Sequence, residues 1–249
     1  MNTFSIVTDS SCDLPASMAQ EMDLTVLPLA FVMQGKEYYN YLDEREIPLH
    51  TFYEALRAGQ PCTTSAVNVE AFTSAMEPLL AAGKDVLCIA FSSGLSNTYN
   101  AAAVAVQELS QKYPERKIYA VDSLCASLGQ GLLVYLCAAG KAPGHLPGGA
   151  DRLRGNHPGQ GLPLVHRGRP EPPQAGWPGQ RHRRPLRHHA LHQAGAPCGR
   201  RRALIPMSKT RGRKPPAGPG GPQWPKPPVD PSQQTVFISH GDCLADAEL

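Results

Sequence analysis

The sequence predicts an α/β fold whose N-terminal part is a parallel sheet with helices on both faces. Two observations carry this. Short apolar runs such as "FSIVTD", "DVLCIAF" and "KIYAVD" alternate with longer stretches whose apolar residues recur at helical spacing. The runs also end in Ser- and Thr-rich turns that lead into the next helical pattern. Continuous apolar runs suit strands buried on both faces, and their alternation with helices implies βαβ units with right-handed crossovers.

Taken in order, "FSIVTD" (4–9) is the first strand, closed by the turn cluster "DSSCDLP". "LTVLPLAFVM" (24–33) is a second apolar run. "HTFYEALRAG" (50–59) is helical and stops at Gly59. The loop "CTTSAVN" (62–68) leads into the helix "NVEAFTSAMEPLLAAG" (68–83). "DVLCIAF" (85–91), the loop "FSSGLSNT" and the helix "SNTYNAAAVAVQELSQKY" (96–113) follow. "KIYAVD" (117–122), the loop "VDSLCAS" and the helix "SLGQGLLVYLCAAG" (127–140) complete this part.

Net charge is +3 and 41% of the 249 residues are hydrophobic, a composition ordinary for a soluble protein. The cysteines, Cys12, Cys62, Cys88, Cys125, Cys137, Cys198 and Cys243, form no C-x-x-C pair. They read as reduced thiols of a cytoplasmic protein, with no metal site. The start "MNTFSIVTDS" lacks the basic region and long apolar core of a signal peptide. No apolar stretch is long enough for a membrane span.

In a parallel sheet, ligands sit beyond the carboxyl ends of the strands. The loops there are "TDSSCD", "CTTSAVN", "FSSGLSNT" and "VDSLCAS", each rich in Ser or Thr and none containing Lys or Arg. Hydroxyls and free backbone N–H groups at helix starts hold anions. A di- or triphosphate would need a cation or metal, and no phosphate-binding Gly motif is present. The expectation is a site for a weakly charged anion such as a carboxylate, the alternative being that these hydroxyls only cap helices.

The motifs "IVTDSSCDLP", "TTSAVN", "FSSGLSNTYNAA" and "VDSLCASLGQGLLV" together resemble the DegV family of bacterial fatty-acid-binding proteins, over Phe4 to about Lys141. The resemblance implies two α/β domains with a fatty acid such as palmitate between them. It implies that Thr64 and Ser93 hold the carboxylate, with Ser65, Ser92 and Gly94 alongside. It also brings His240, from an H-G motif, to the carboxylate. Asp9, Ser10 and Gly241 are secondary candidates. It implies a carrier that needs no cofactor and presents the acid to a fatty acid kinase catalytic subunit. This chain has "TTSAVN" where the family more often has T-S-Q-P-S; the Thr-Ser pair survives and the following positions do not.

Residues 1–150 are expected to be the first domain, and 151–249 the disrupted remnant of an incomplete second α/β domain. Eighteen of the 25 prolines fall between Lys141 and Val229. Proline at that density excludes helix interiors and central strands, so 143–202 and 215–228 are expected to be disordered or frame-shifted. Back-translating Leu164–Gln180 and reading from each second base allows W-F-T-V-D-D-L-N-H-L-K-R-G-G-R-V-S, similar to the family's second-domain opening. The arginine of that G-G-R falls at Pro178-Gly179. The frame resumes at "LIPMSKTRGRK", and "TVFISHGD" reads as a strand over about Gln234–Ile238 ending at His240-Gly241-Asp242. "CLADAEL" then opens a helix cut short at Leu249. The competing explanation is a genuine disordered insert. Two other functions stay open. One is a small hydrolase or phosphotransferase using Asp9 or Cys12. The other is non-specific nucleic-acid binding by the basic Pro/Arg/His tract, which has charge but no folded motif.

Overall fold

The computed structural model describes residues 4–140, 235 and 237–244. The expected disorder or frame shift at 143–202 and 215–228, and most of the expected second domain, lie outside the described residues.

The elements in chain order are β1 (Phe4–Asp9), a 3-10 turn (Ser10–Cys12), α1 (Ala16–Glu21), β2 (Leu24–Leu27), β3 (Ala30–Met33) and β4 (Lys36–Tyr39). They continue with α2 (Leu49–Arg57), β5 (Cys62–Ser65), α3 (Val69–Ala81), β6 (Asp85–Ala90), α4 (Thr98–Lys112), β7 (Ile118–Asp122) and α5 (Leu128–Ala139). A four-stranded parallel sheet runs β2-β1-β6-β7, as expected.

Strand periodicity sorts this sheet's side chains between two cores. Val7, Val86, Cys88 and Ala90 face α3 and α4, against Phe72, Met76 and Leu80 of α3. Ile6, Leu87 and Ile89 face the other way, toward Val134 and Cys137 of α5. Ala101, Ala102 and Ala105 let α4 lie close to the sheet. On the opposite face, Gly131 lets α5 approach the 3-10 turn. A Cβ there would stand 2.5 Å from the Cys12 carbonyl oxygen, a backbone atom that cannot swing away.

A second sheet departs from the expected single parallel sheet. It is three-stranded and antiparallel, in the order β4-β3-β5. The run "LTVLPLAFVM" is broken at Pro28, which has no N–H to donate to a ladder; β2 joins the first sheet and β3 the second. Gln34 and Gly35 both take positive φ and turn β3 back onto β4 in a two-residue hairpin. "CTTS", expected as a loop, is instead β5, because its backbone completes a ladder with β3. The two sheets are stitched at Ser10, whose hydroxyl accepts from the Leu29 N–H (3.0 Å) and from Asn40 Nδ2 (3.2 Å).

The returning segment 237–244 docks on this body. Phe237 packs edge-on against Tyr135 of α5, and Ser127 Oγ donates to Ser239 Oγ at 2.8 Å. The strand expected near Gln234–Ile238 does not form at the described Thr235, Phe237 and Ile238. Among the described residues this segment is held by side chains rather than by a ladder, with Phe237 spent on α5.

Candidate functional site

The carboxyl edge of the parallel sheet is organised by two aspartates. β1 and β7 both end in Asp-Ser, at Asp9-Ser10 and Asp122-Ser123, and the β6 loop runs between them. Asp9 is fully buried. Its Oδ2 accepts from the Phe91 N–H at 2.8 Å, and its Oδ1 accepts from the Ser11 N–H at 3.1 Å and from the Ser11 hydroxyl. On the other side, Asp122 Oδ1 accepts from the N–H groups of Ser93 and Leu124, each at 3.1 Å. Asp122 Oδ2 accepts from Ser93 Oγ at 2.5 Å. A loop that would otherwise need its own ladder is thus clamped at both ends by carboxylates from neighbouring strands, 82 and 29 residues away in sequence.

Burial raises Asp9 above the ordinary carboxylate range, against the lowering effect of its donors Ser11 and Phe91. Asp13 is raised in the same sense, first by burial and then by the charge of Asp9. Gln130 of α5 closes the network beneath, its Nε2 donating to Thr8 Oγ1 at 3.0 Å and its Oε1 accepting from Ser11 Oγ at 2.9 Å.

The serines of the loop have separate duties. Ser92 is buried and its Oγ accepts from the Gly94 N–H at 3.2 Å, which turns the chain inward. Ser93 is half-buried, with its hydroxyl proton on Asp122. Ser96 Oγ accepts from the Thr98 N–H at the start of α4. Ser10 has the stitching role described above.

Thr64 and Ser65 lie not on a loop of the parallel sheet but on β5, the edge strand of the antiparallel one. Thr64 is exposed and pairs in register with Phe31, so the two side chains share a face. That face is aromatic: Phe31 stacks on Tyr38 and meets Phe52 of α2 edge-on at 5.1 Å. Ser65, one residue on, faces the other side with Ala30.

His240 is exposed, and its Nδ1 accepts from the Cys243 N–H at 3.2 Å. Gly241 rests against the Tyr53 ring, and its carbonyl accepts from Arg57. Asp242 receives Arg57 at 2.7 Å and His50 at 3.0 Å, so its carboxyl lies below its ordinary range, chiefly through Arg57. His50, Glu54 and Asp242 offer ligand atoms within 4.8 Å of one another, but Arg57 already occupies both carboxylates. Among the described residues no hydrogen bond joins Thr64 or His240 to Ser93. Asp122, Ser11, Gln130 and Asn40 were missed as supporting residues; the repeated Asp-Ser at two strand ends was the available signal for Asp122.

Residues 3–146 match the model of the DegV family, described as an uncharacterised protein family. The chain belongs to the DegV family. A DegV domain-containing protein of Clostridium perfringens is 35% identical over 257 aligned residues, covering 100% of this chain and 85% of that protein. DegV domain-containing protein YteA of Lactococcus lactis is 36% identical over 53% of this chain and 45% of its own length. Among solved structures, a fatty acid (stearic acid)-binding protein from Eubacterium ventriosum superposes with a TM-score of 0.54 at 25% identity, over 60% of this chain and 51% of that one. A DegV family protein from Thermus thermophilus, solved for its fatty acid binding, gives 0.53 at 29% identity, over 61% and 53%. A DegV lipid-binding protein from Thermotoga maritima gives 0.61 over 86% and 72%, and at 24% identity that likeness concerns the fold. The chain therefore spans only about half the length of several DegV relatives it matches.

Proposed function

We propose that this protein binds a long-chain fatty acid, such as palmitate, and presents it to a fatty acid kinase catalytic subunit in the cytoplasm. The observation that carries the reading is the pairing of an exposed hydroxyl with an aromatic face. Thr64 stands in register with Phe31, beside Tyr38 and Phe52, which suits a carboxyl group whose tail runs along apolar rings. The fatty-acid-binding DegV relatives support it. In this reading Thr64 and Ser93 contact the head group, with Ser65, Ser92, Gly94, His240 and Gly241 around it and Asp9 and Ser10 as its frame. Cys12, Cys62, Cys88, Cys137 and Cys243 are free thiols, which suits a reducing compartment.

The enzymatic alternative has less support. Asp9 is fully buried and its two oxygens are occupied by donors. Burial pushes the Cys12 thiol up to about 12, far from a thiolate nucleophile. Calorimetric titration of the full chain with palmitate tests the proposal. Saturable binding near one equivalent is expected, and its absence defeats it. Addition of a fatty acid kinase and ATP tests the second half, with acyl phosphate formed only when the loaded chain is present.

A further inference from the structure

We propose that Arg57 of α2 is a positioning residue for fatty-acid binding: its guanidinium fixes the turn at residues 240–243 and so sets His240 to donate to the lipid's carboxylate. The inference rests on the fatty-acid reading above. One face of α2 is given over to this turn. His50, Tyr53, Glu54 and Arg57 recur at the spacing that lines side chains up along a helix. Arg57 makes most of the contact. Its Nη1 donates to Asp242 Oδ2 at 2.7 Å and to Glu54 Oε1 at 2.6 Å. Its Nη2 donates to the carbonyl oxygens of Asp242 at 3.0 Å and Gly241 at 3.3 Å. His50 Nδ1 reaches the same Asp242 carboxylate oxygen at 3.0 Å. A Cβ at Gly241 would stand 3.2 Å from Tyr53 Cε1, so the missing side chain lets the backbone lie this close to the helix.

The turn needs a holder from outside. Asp242 has a φ of 56°, in the left-handed region that a non-glycine residue enters at a cost. Both arms of Arg57 end on Asp242, one on its carboxylate and one on its carbonyl, and keep it there. With Asp242 so placed, the Cys243 N–H donates to His240 Nδ1 at 3.2 Å. The proton of the neutral ring then sits on Nε2. The exposed His240 therefore offers one N–H donor, which suits an ionised carboxylate, an acceptor-only group. Arg57 acts through the turn rather than by touching the lipid, because its two arms already serve two carboxylates and two carbonyls.

Titration of the full chain with palmitate, run as a double-mutant cycle, tests the inference. Arg57→Ala should weaken binding about tenfold, the loss of roughly one hydrogen bond to a charged group. His240→Ala should do about the same, and adding Arg57→Ala to it should cost no more than about a further twofold. A merely structural role would cost as much in either background. Arg57→Lys keeps the charge but not the fork, and should bind nearly as weakly as Arg57→Ala. Exposed ion pairs add little stability, so the urea midpoints of these variants should stay close to that of the wild type. Hydrogen exchange at the Cys243 N–H should quicken at least about tenfold in Arg57→Ala and stay unchanged in Thr64→Val. Undiminished affinity in Arg57→Ala, full recovery in Arg57→Lys, or a loss that persists in the His240→Ala background overturns the inference and leaves the fatty-acid reading standing. Failure of the wild type to take up palmitate would instead overturn that reading.

Discussion

The carboxyl edge of the parallel sheet and the edge strand of the antiparallel sheet both carry candidate hydroxyls, yet the two regions use them in opposite ways. At the parallel edge, polar groups are buried and saturated: Thr8, Asp9, Ser10 and Ser92 hold backbone and one another. On β5, Thr63, Thr64 and Ser65 are all exposed. The contrast teaches that hydroxyl-rich motifs split into a frame and a contact surface. Substitution in the frame should cost stability, and substitution on the surface should cost binding.

The largest effect is expected in the frame. Asp9→Ala removes the acceptor for the Phe91 and Ser11 N–H groups, and orphaned buried donors cost roughly 1–3 kcal/mol each. Urea unfolding should show a loss of about 3 kcal/mol with an unchanged m-value. Asp9→Asn sharpens the point through pH. Because the folded-state carboxyl is raised from 3.8, the native state binds more protons than the unfolded one just above that value. Wild-type stability should therefore fall as pH rises from about 3.8 through the folded-state pKa. The Asn variant should lose that part of the slope, and an unchanged profile would show that Asp9 titrates as in the unfolded chain.

Buried methylenes are worth roughly 0.8 kcal/mol each, so a covering second domain outweighs any single hydroxyl. A version with 143–202 and 215–228 restored to the alternative frame should bind palmitate at least about a hundredfold more tightly than the present chain, about 2.7 kcal/mol. Equal affinities would mean that the N-terminal domain alone makes the site. Resequencing checks the premise, since an unbroken read matching the present residues removes it.

Gly131→Ala forces a Cβ against the Cys12 carbonyl and should cost about 1–3 kcal/mol of stability by overpacking the frame from below. The smallest effect is expected at the surface. Thr64→Val should weaken palmitate binding by about tenfold, near 1.4 kcal/mol, while leaving stability within about 0.5 kcal/mol. A large loss of stability there would erase the distinction between frame and surface.

The sequence shows the frame's scaffold better than the contact surface. β1, β6 and β7 announce themselves as continuous apolar runs, and α3 and α4 as helical periods, because burial on both faces leaves a local pattern. "KEYY" and "CTTS" leave none: they are short and largely exposed, and pairing with β3 alone makes them strands. Gln34-Gly35 was the one local turn signal for that hairpin. Thr64 was legible as a ligand only through the family motif, and its place beside Phe31 only through the fold. The clamps of Asp9 and Asp122 join residues far apart in sequence, so no local pattern could reveal them.

The central claim is that this fold carries a fatty acid. Native mass spectrometry of the full chain purified from a bacterial host tests it most directly. A population heavier than the bare chain by the mass of one long-chain fatty acid is expected, released on denaturation and diminished in Thr64→Val. A spectrum showing only the bare chain, still unchanged after incubation with palmitate at pH 5.5, would contradict it.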